Sequence, residues 1–247
     1  MRNNSAYLAW QSPSSKDWHV VGLLEEFNSG YTFRYTKGAT IAPHFTAFTG
    51  MNDLNKTYKS ESLFPLFQNR LLSSKRPEYP KFLKWLKLSE GDVTPVNVLA
   101  RSGALRGTDK LQMFKKIEVD QDGSFKHYFF VHGLSYLQPS ASIRVSNLKP
   151  EEKLFLCMDC QNSHDENALL IRSEDPLEVV GYCPRYLAKE LNNLLRNNNQ
   201  SVKLYVEALT NDAPLNYRLM CRLEGKIDKD LFNSIMCDGE YEIMTSS

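Results

Sequence analysis

Apolar and polar positions alternate with a period of two along short stretches in both halves of the chain. Tyr31, Phe33 and Tyr35 are separated by polar neighbours, the spacing that turns one face of a strand toward a core. With the apolar run 18–24 (Trp-His-Val-Val-Gly-Leu-Leu), this predicts a hairpin turning at Asn28-Ser29-Gly30. Short helices are expected near 62–72, apolar at Leu63, Phe64, Phe67 and Leu71, and near 79–88. A third is framed by Thr94 as N-cap, Pro95 at the first helical position and Gly103 after the end. Segments 111–119 and 126–131 read as extended, with a turn at 120–123.

The second half carries cleaner alternation. Leu154, Leu156 and Met158 face one way while Lys153, Phe155 and Cys157 face the other. Val202, Leu204, Val206 and Ala208 repeat the pattern, as do Tyr217, Leu219, Cys221 and Leu223. Pro184 opens a helix with Leu187, Leu191, Leu194 and Leu195 on one face, closed by the asparagine run that ends at Gln200. Several short strands and one helix make a small, nearly closed barrel. The fold class is α+β, mostly β, in two modules: 1–122, β-rich with short helices, and 123–247, a small barrel with a C-terminal extension. The stretch Asp230–Met236 has the pattern for a helical turn.

Composition adds limits. The 247 residues hold no apolar run long enough to span a bilayer, and Met1–Trp10 has no secretion-type apolar stretch. A cytoplasmic location is expected, with no membrane partner. The five cysteines, Cys157, Cys160, Cys183, Cys221 and Cys237, are an odd number and are expected as thiols. The net charge of +1 hides an asymmetry: residues 1–125 hold 17 Lys and Arg against 12 Asp and Glu, and residues 126–247 hold 13 against 17. An acidic half gains little from counterion release, so nucleic-acid binding there needs a local pocket.

The order Phe-Phe-Val-His-Gly-Leu-Ser-Tyr (129–136), Asn-Ser-His-Asp-Glu-Asn-Ala (162–168) and Gly-Tyr-Cys-Pro-Arg (181–185) resembles the HIRAN domain. That family is a small β-barrel whose better-known members grip an exposed nucleic-acid end. The resemblance implies a non-enzymatic module that binds DNA at single-stranded or frayed 3′ ends. By residue, it implies close backbone approach at Gly133, a stacking ring at Tyr136 worth roughly 1–3 kcal/mol, and polar and basic contacts at Tyr182 and Arg185. His164-Asp165 matches the family's aromatic-Asp pair. Asp165 would accept a hydrogen bond from a free 3′ hydroxyl and repel a terminal phosphate, at roughly 1–4 kcal/mol for like charges about 4 Å apart. Three positions depart from the family pattern: Ser135 stands where end-binding members carry arginine, His164 replaces tyrosine and Ser163 replaces proline. Asn162 and Asn167 are expected to hold the loop through side-chain-to-backbone bonds.

The first module is similar to the amino-terminal subdomain of the HipA toxin kinases. The likeness rests on the hairpin ending Phe33-Arg-Tyr and on Leu63-Phe-Pro-Leu-Phe-Gln-Asn-Arg-Leu-Leu72. It implies a small interaction subdomain without phosphoryl transfer, since no His-Arg-Asp loop or Asp-Phe-Gly follows. The alternative function is therefore a protein–protein adaptor or antitoxin-like component docking on a HipA-type kinase or another separately encoded enzyme. Lys81, Lys84 and Lys87, with Lys75 and Arg76 nearby and Tyr79, Phe82 and Trp85 interleaved, form a candidate phosphate-contacting stripe on a short helix. No enzyme motif is complete: Gly133-Leu-Ser135 lacks a nucleophile elbow's second glycine, and Gly103 to Lys110 misses P-loop spacing. Cys157-x2-Cys160-x3-His164 with Cys183 has loose zinc spacing. A strand continuing through Cys160 would put Cys157 and Cys160 on opposite faces, so no cofactor is expected unless a turn begins at Asp159.

Overall fold

The computed structural model describes residues 4–198, 201–235 and 239–244. The chain divides into two compact units, residues 4–116 with 239–244, and residues 117–235.

The first unit is an antiparallel sheet of β1 (Asn4–Gln11), β2 (Trp18–Phe27), β3 (Gly30–Tyr35), β4 (Tyr58–Ser60) and β5 (Leu111–Phe114), in the order β4-β3-β2-β1-β5. Four short helices accompany it: α1 (Gly38–Ile41), α2 (Pro65–Gln68), α3 (Tyr79–Leu86) and α4 (Pro95–Ser102). The hairpin forms where expected, with Phe27 paired to Gly30. Its inward aromatics nucleate the core: Phe33 and Tyr35 are fully buried, with Phe67 5.5 Å and Phe48 5.9 Å away between ring centres. Tyr35 also donates from its hydroxyl to Met51 O (2.8 Å) and accepts from Phe48 N–H (2.8 Å). The loop across the sheet is thus tied down by hydrogen bonds that satisfy a buried phenol. In α4 the Thr94 side chain accepts from Asn97 N–H at 3.4 Å, and Gly103 takes the left-handed conformation (φ 75°) that ends the helix. The expected helix at 62–72 is only the single turn α2, and the expected strand at 111–119 stops at Phe114.

One boundary needs correction. Residues 239–244 were expected to extend the second module, but they belong to the first unit. The Glu240 carboxylate accepts from Val20 N–H (3.1 Å) and meets His19 Nδ1 (2.8 Å). Met244 N–H donates to Tyr35 O (2.9 Å), and Tyr241 packs edge-on against Tyr7. The segment supplies partners to strand atoms that are local neither to it nor to the second half, so periodicity had no means of assigning it.

The second unit is an antiparallel sheet in the order β6-β11-β10-β7-β8-β9. Its strands are β6 (Ser124–Phe130), β7 (Lys153–Met158), β8 (Leu169–Arg172), β9 (Val179–Tyr182), β10 (Lys203–Leu209) and β11 (Leu219–Lys226). The sheet curls until its ends meet: just beyond β6, His132 exchanges both backbone hydrogen bonds with Tyr182 of β9, each 2.9 Å. Gly181 makes that approach feasible. Its φ is 138°, and a Cβ there would overlap Val131 Cγ1 and sit 2.8 Å from His132 O. Leu154, Ile171, Val180, Leu204, Val206, Leu219 and Leu223 fill the inside, capped by Leu187, Leu191 and Leu194 of α6 (Arg185–Asn198).

The barrel was expected to carry one helix. It also carries α5 (Pro139–Asn147) and α7 (Lys229–Ile235). α5 escapes a pattern search because it buries only Ala141 and Val145, too thin a stripe to stand out at helical period. α7 starts one residue before the expected 230–236 stretch and covers it through Ile235; Met236 is outside the described residues, as are Cys237, Asp238 and the end of the asparagine run at 199–200.

Candidate nucleic-acid interface

Three connections of the second unit converge near the seam where the sheet curls shut. The first follows β6. Gly133 sits at φ 76° and starts a 3-10 turn, Leu134–Tyr136, a conformation that L side chains adopt only with strain. A Cβ on Gly133 would lie 3.1 Å from the Tyr182 ring, so this turn rests directly on β9. Leu134 is buried and anchors it. Ser135 is exposed, and Tyr136 is 88% exposed. Among the described residues the Tyr136 ring makes no hydrogen bond or ring contact, unlike the packed aromatics of the first unit. An apolar ring of that size left in water is a feature that core packing does not explain.

The second connection runs from β7 to β8 through 159–168. A turn does begin at Asp159, with Asn162 N–H donating to Asp159 O at 3.1 Å. Asn162 then organises the rest: its Oδ1 accepts from the N–H groups of His164 (3.0 Å) and Asp165 (3.1 Å), and its Nδ2 donates to Asp159 Oδ2 (3.2 Å). This is the loop-holding role expected of it. Asn167 contributes through its backbone instead, its carbonyl accepting from Asn192 Nδ2 at 2.8 Å. His164 is exposed. Asp165 is not an open carboxylate. Its Oδ1 accepts from Asn167 N–H (2.9 Å) and its Oδ2 from Arg185 Nε (3.2 Å), leaving the side chain 17% exposed.

The third connection joins β9 to α6. Tyr182 donates its hydroxyl to Asp159 Oδ2 at 3.0 Å. Burial first, and the Asp159 carboxylate second, raise its pKa above the usual phenol value, so the ring carries no charge at neutral pH. Arg185 stands in the first turn of α6, where the helix dipole disfavours a cation. The Asp165 carboxylate and the His164 carbonyl, which accepts from Arg185 Nη2, offset that cost. Just behind the seam, burial pushes the His132 imidazole down to about 4, so it is neutral at pH 7. Its ring lies edge-on to Tyr186 at 6.4 Å between centres.

The structure therefore brings Gly133, Ser135, Tyr136, His164, Asp165, Tyr182 and Arg185 onto loops that share a seam, and shows two different states among them. Tyr136 and His164 are presented to solvent. Asp165, Arg185 and Tyr182 are already bonded within the protein. Asp159 and Asn162, which hold two of the three connections together, had no ligand role in the sequence. Asp159 in particular looks like an ordinary turn acid until Tyr182 is placed beside it. Lys81, Lys84 and Lys87 lie in the first unit, on and just after α3, and all are exposed.

The turn at Asp159 interrupts the strand that would have separated Cys157 from Cys160. Even so, no group of three or more His, Cys, Asp and Glu side chains among the described residues is placed to share an ion. No helix among the described residues is long and apolar enough to cross a membrane.

Residues 124–228 match the family model of the HIRAN domain. The match spans less than half the chain and falls within the second unit. Among solved structures, the chain is similar to the HIRAN domain of human HLTF, with 18% identity, a TM-score of 0.35, 47% of this chain and 89% of that chain covered. It is also similar to a Lactobacillus plantarum protein of a structural-genomics programme, with 18% identity, a TM-score of 0.33, and 42% and 99% covered. No curated protein matches the chain.

Proposed function

We propose that the second unit is a non-enzymatic DNA-binding module that takes single-stranded or frayed 3′ ends at the seam of its curled sheet. The observation that carries this is Tyr136, 88% exposed on a left-handed glycine turn that is anchored against β9. A rigidly mounted, solvent-facing ring suits a terminal base, which any of the four bases can satisfy through its π-face. The left-handed Gly133 lets the turn seat against the Tyr182 ring, which lies 3.1 Å from where a Cβ would stand. Exposed Ser135, next to the ring in the same turn, and exposed His164 on the 159–168 loop offer further polar contacts.

The bonded pair Asp165–Arg185 changes how an end would be read. A carboxylate offers about four acceptor sites, and two are occupied, so a 3′ hydroxyl can still donate to Asp165. Arg185 cancels much of the charge that would repel a terminal phosphate. Preference for hydroxyl over phosphate should accordingly be small, about tenfold or less, well inside the bare like-charge estimate. The free thiols of Cys157, Cys160, Cys183 and Cys221 fit a reducing, cytoplasmic setting. A separately encoded enzyme acting on the bound end completes the proposal; the alternative is a protein–protein adaptor whose first unit docks on a HipA-type kinase or another partner.

The test is fluorescence anisotropy with short labelled single strands ending in a 3′ hydroxyl or a 3′ phosphate. Binding that favours the hydroxyl modestly and is lost in Tyr136→Ala supports the reading. Absence of binding to either strand at low salt overturns it.

A further inference from the structure

Several half-buried arginines are matched to acids. Arg34 pairs with Glu25, Arg70 with Asp109, Arg144 with Glu152 and Arg185 with Asp165, while Arg222 holds Glu151, Glu207 and Glu224 together. One region of the first unit departs from this habit. Lys75, Arg76, Lys81, Lys84 and Lys87 fall within 13 residues, all exposed, with Glu78 the one acid among them. Among the described residues, no ion pair engages Lys75, Arg76, Lys84 or Lys87.

We propose that this cationic face of α3 is a sequence-independent contact for single-stranded nucleic acid, separate from the seam of the second unit. Helix stability does not account for it. Cations near the last turn, such as Lys84 and Lys87, complement the helix dipole, but Lys75, Arg76 and Lys81 precede or open the helix, where the dipole opposes them. α3 turns Phe82 and Leu86 into the core, leaving outward Lys81 and Lys84 one turn apart and Lys87 at the left-handed end (φ 51°). Half-buried Trp85 lies among them, the Lys81 ammonium 5.5 Å from its ring centre. Cations around an indole provide both elements of single-strand binding, phosphate neutralisation and a stacking surface. An anionic membrane is the poorer fit, because an interfacial helix needs an apolar face to bury in lipid, and α3 has turned its own into the core.

A strand without ends separates this surface from an end-binding seam. The full chain is titrated against a labelled circular oligothymidylate of about 30 nucleotides at two or more salt concentrations, with anionic phospholipid vesicles as the competing probe. The expected result is low-salt binding that Lys84→Glu/Lys87→Glu weakens at least tenfold. The salt slope should become shallower by about 1.4, two contacts at roughly 0.7 each. Thermal melting checks that the charge-reversed protein is folded, and Lys84→Gln/Lys87→Gln, expected to show an intermediate loss, serves if it is not. Equal binding by wild type and variants, no binding to the circle, or binding to vesicles in preference to it overturns the proposal. Because the circle has no 3′ end, these outcomes are independent of whether the seam binds ends.

Discussion

The turn at 133–136 and the loop at 159–168 meet at the same seam yet are built on opposite plans. In the first, the left-handed backbone at Gly133 and one buried leucine fix a short turn whose terminal ring, among the described residues, is left without a partner. In the second, three side chains are bonded within the protein: Asn162 holds two amides, Asp159 holds Tyr182, and Asp165 holds Asn167 and Arg185. A ligand gains most from the group that gives up least on binding. By that criterion the exposed ring, rather than the conspicuous acid, is the stronger candidate for direct contact, and the acid's first task is to keep the loop and the start of α6 in place.

Breaking the seam itself should remove the distinction between the two. Gly181→Ala places a methyl against Val131 and 2.8 Å from His132 O at a φ of 138°. It should destabilise the second unit by about 3 kcal/mol or more, from overpacking and backbone strain together, as read by chemical denaturation. Acid should act on the same place. His132 stays neutral in the folded state down to about 4, whereas an unfolded histidine takes its proton near 6.5. Between those values the unfolded chain binds more protons, so stability falls as pH falls, by up to about 3 kcal/mol. It is fully present above pH 6.5. Urea titrations at pH 7 and near pH 4 check the slope, and His132→Gln should flatten it.

The two plans then predict opposite signatures for single substitutions. Tyr136→Ala should cost roughly 1–3 kcal/mol in affinity for a single strand and change the melting temperature little, because Tyr136 is 88% exposed. Asp165→Asn should do the reverse, lowering stability by about 1 kcal/mol through the lost charge-assisted bond to Arg185, with a smaller effect on affinity. Large affinity loss for Asp165→Asn with unchanged stability would restore the carboxylate as the main contact and invert the comparison.

Much of this was readable before any coordinates. The hairpin at Asn28–Gly30, the caps Thr94 and Gly103, and the alternation at 153–158 and 202–208 declare themselves because a turn, a cap or a strand face depends on residues a few positions apart. The three site segments were legible as motifs for the same reason. α5 and β1 were not, since neither shows a distinctive periodicity, and the return of residues 239–244 to the first unit has no local signature at all. The site was half legible: the loops could be named, but whether Asp165 faced solvent or Arg185 depends on where α6 begins relative to a loop about 20 residues earlier.

The amino-acid order alone determined the strands and helices that carry a clear period or cap, the turns between them, and which residue types stand on the connecting loops. These follow from side-chain period and backbone preference within a few neighbours. Tertiary structure alone decided which polar groups are already satisfied. Hydrogen bonds such as Tyr182 to Asp159 join residues that only the curling of the sheet brings together, and a bonded group and an open one are identical as letters in a sequence.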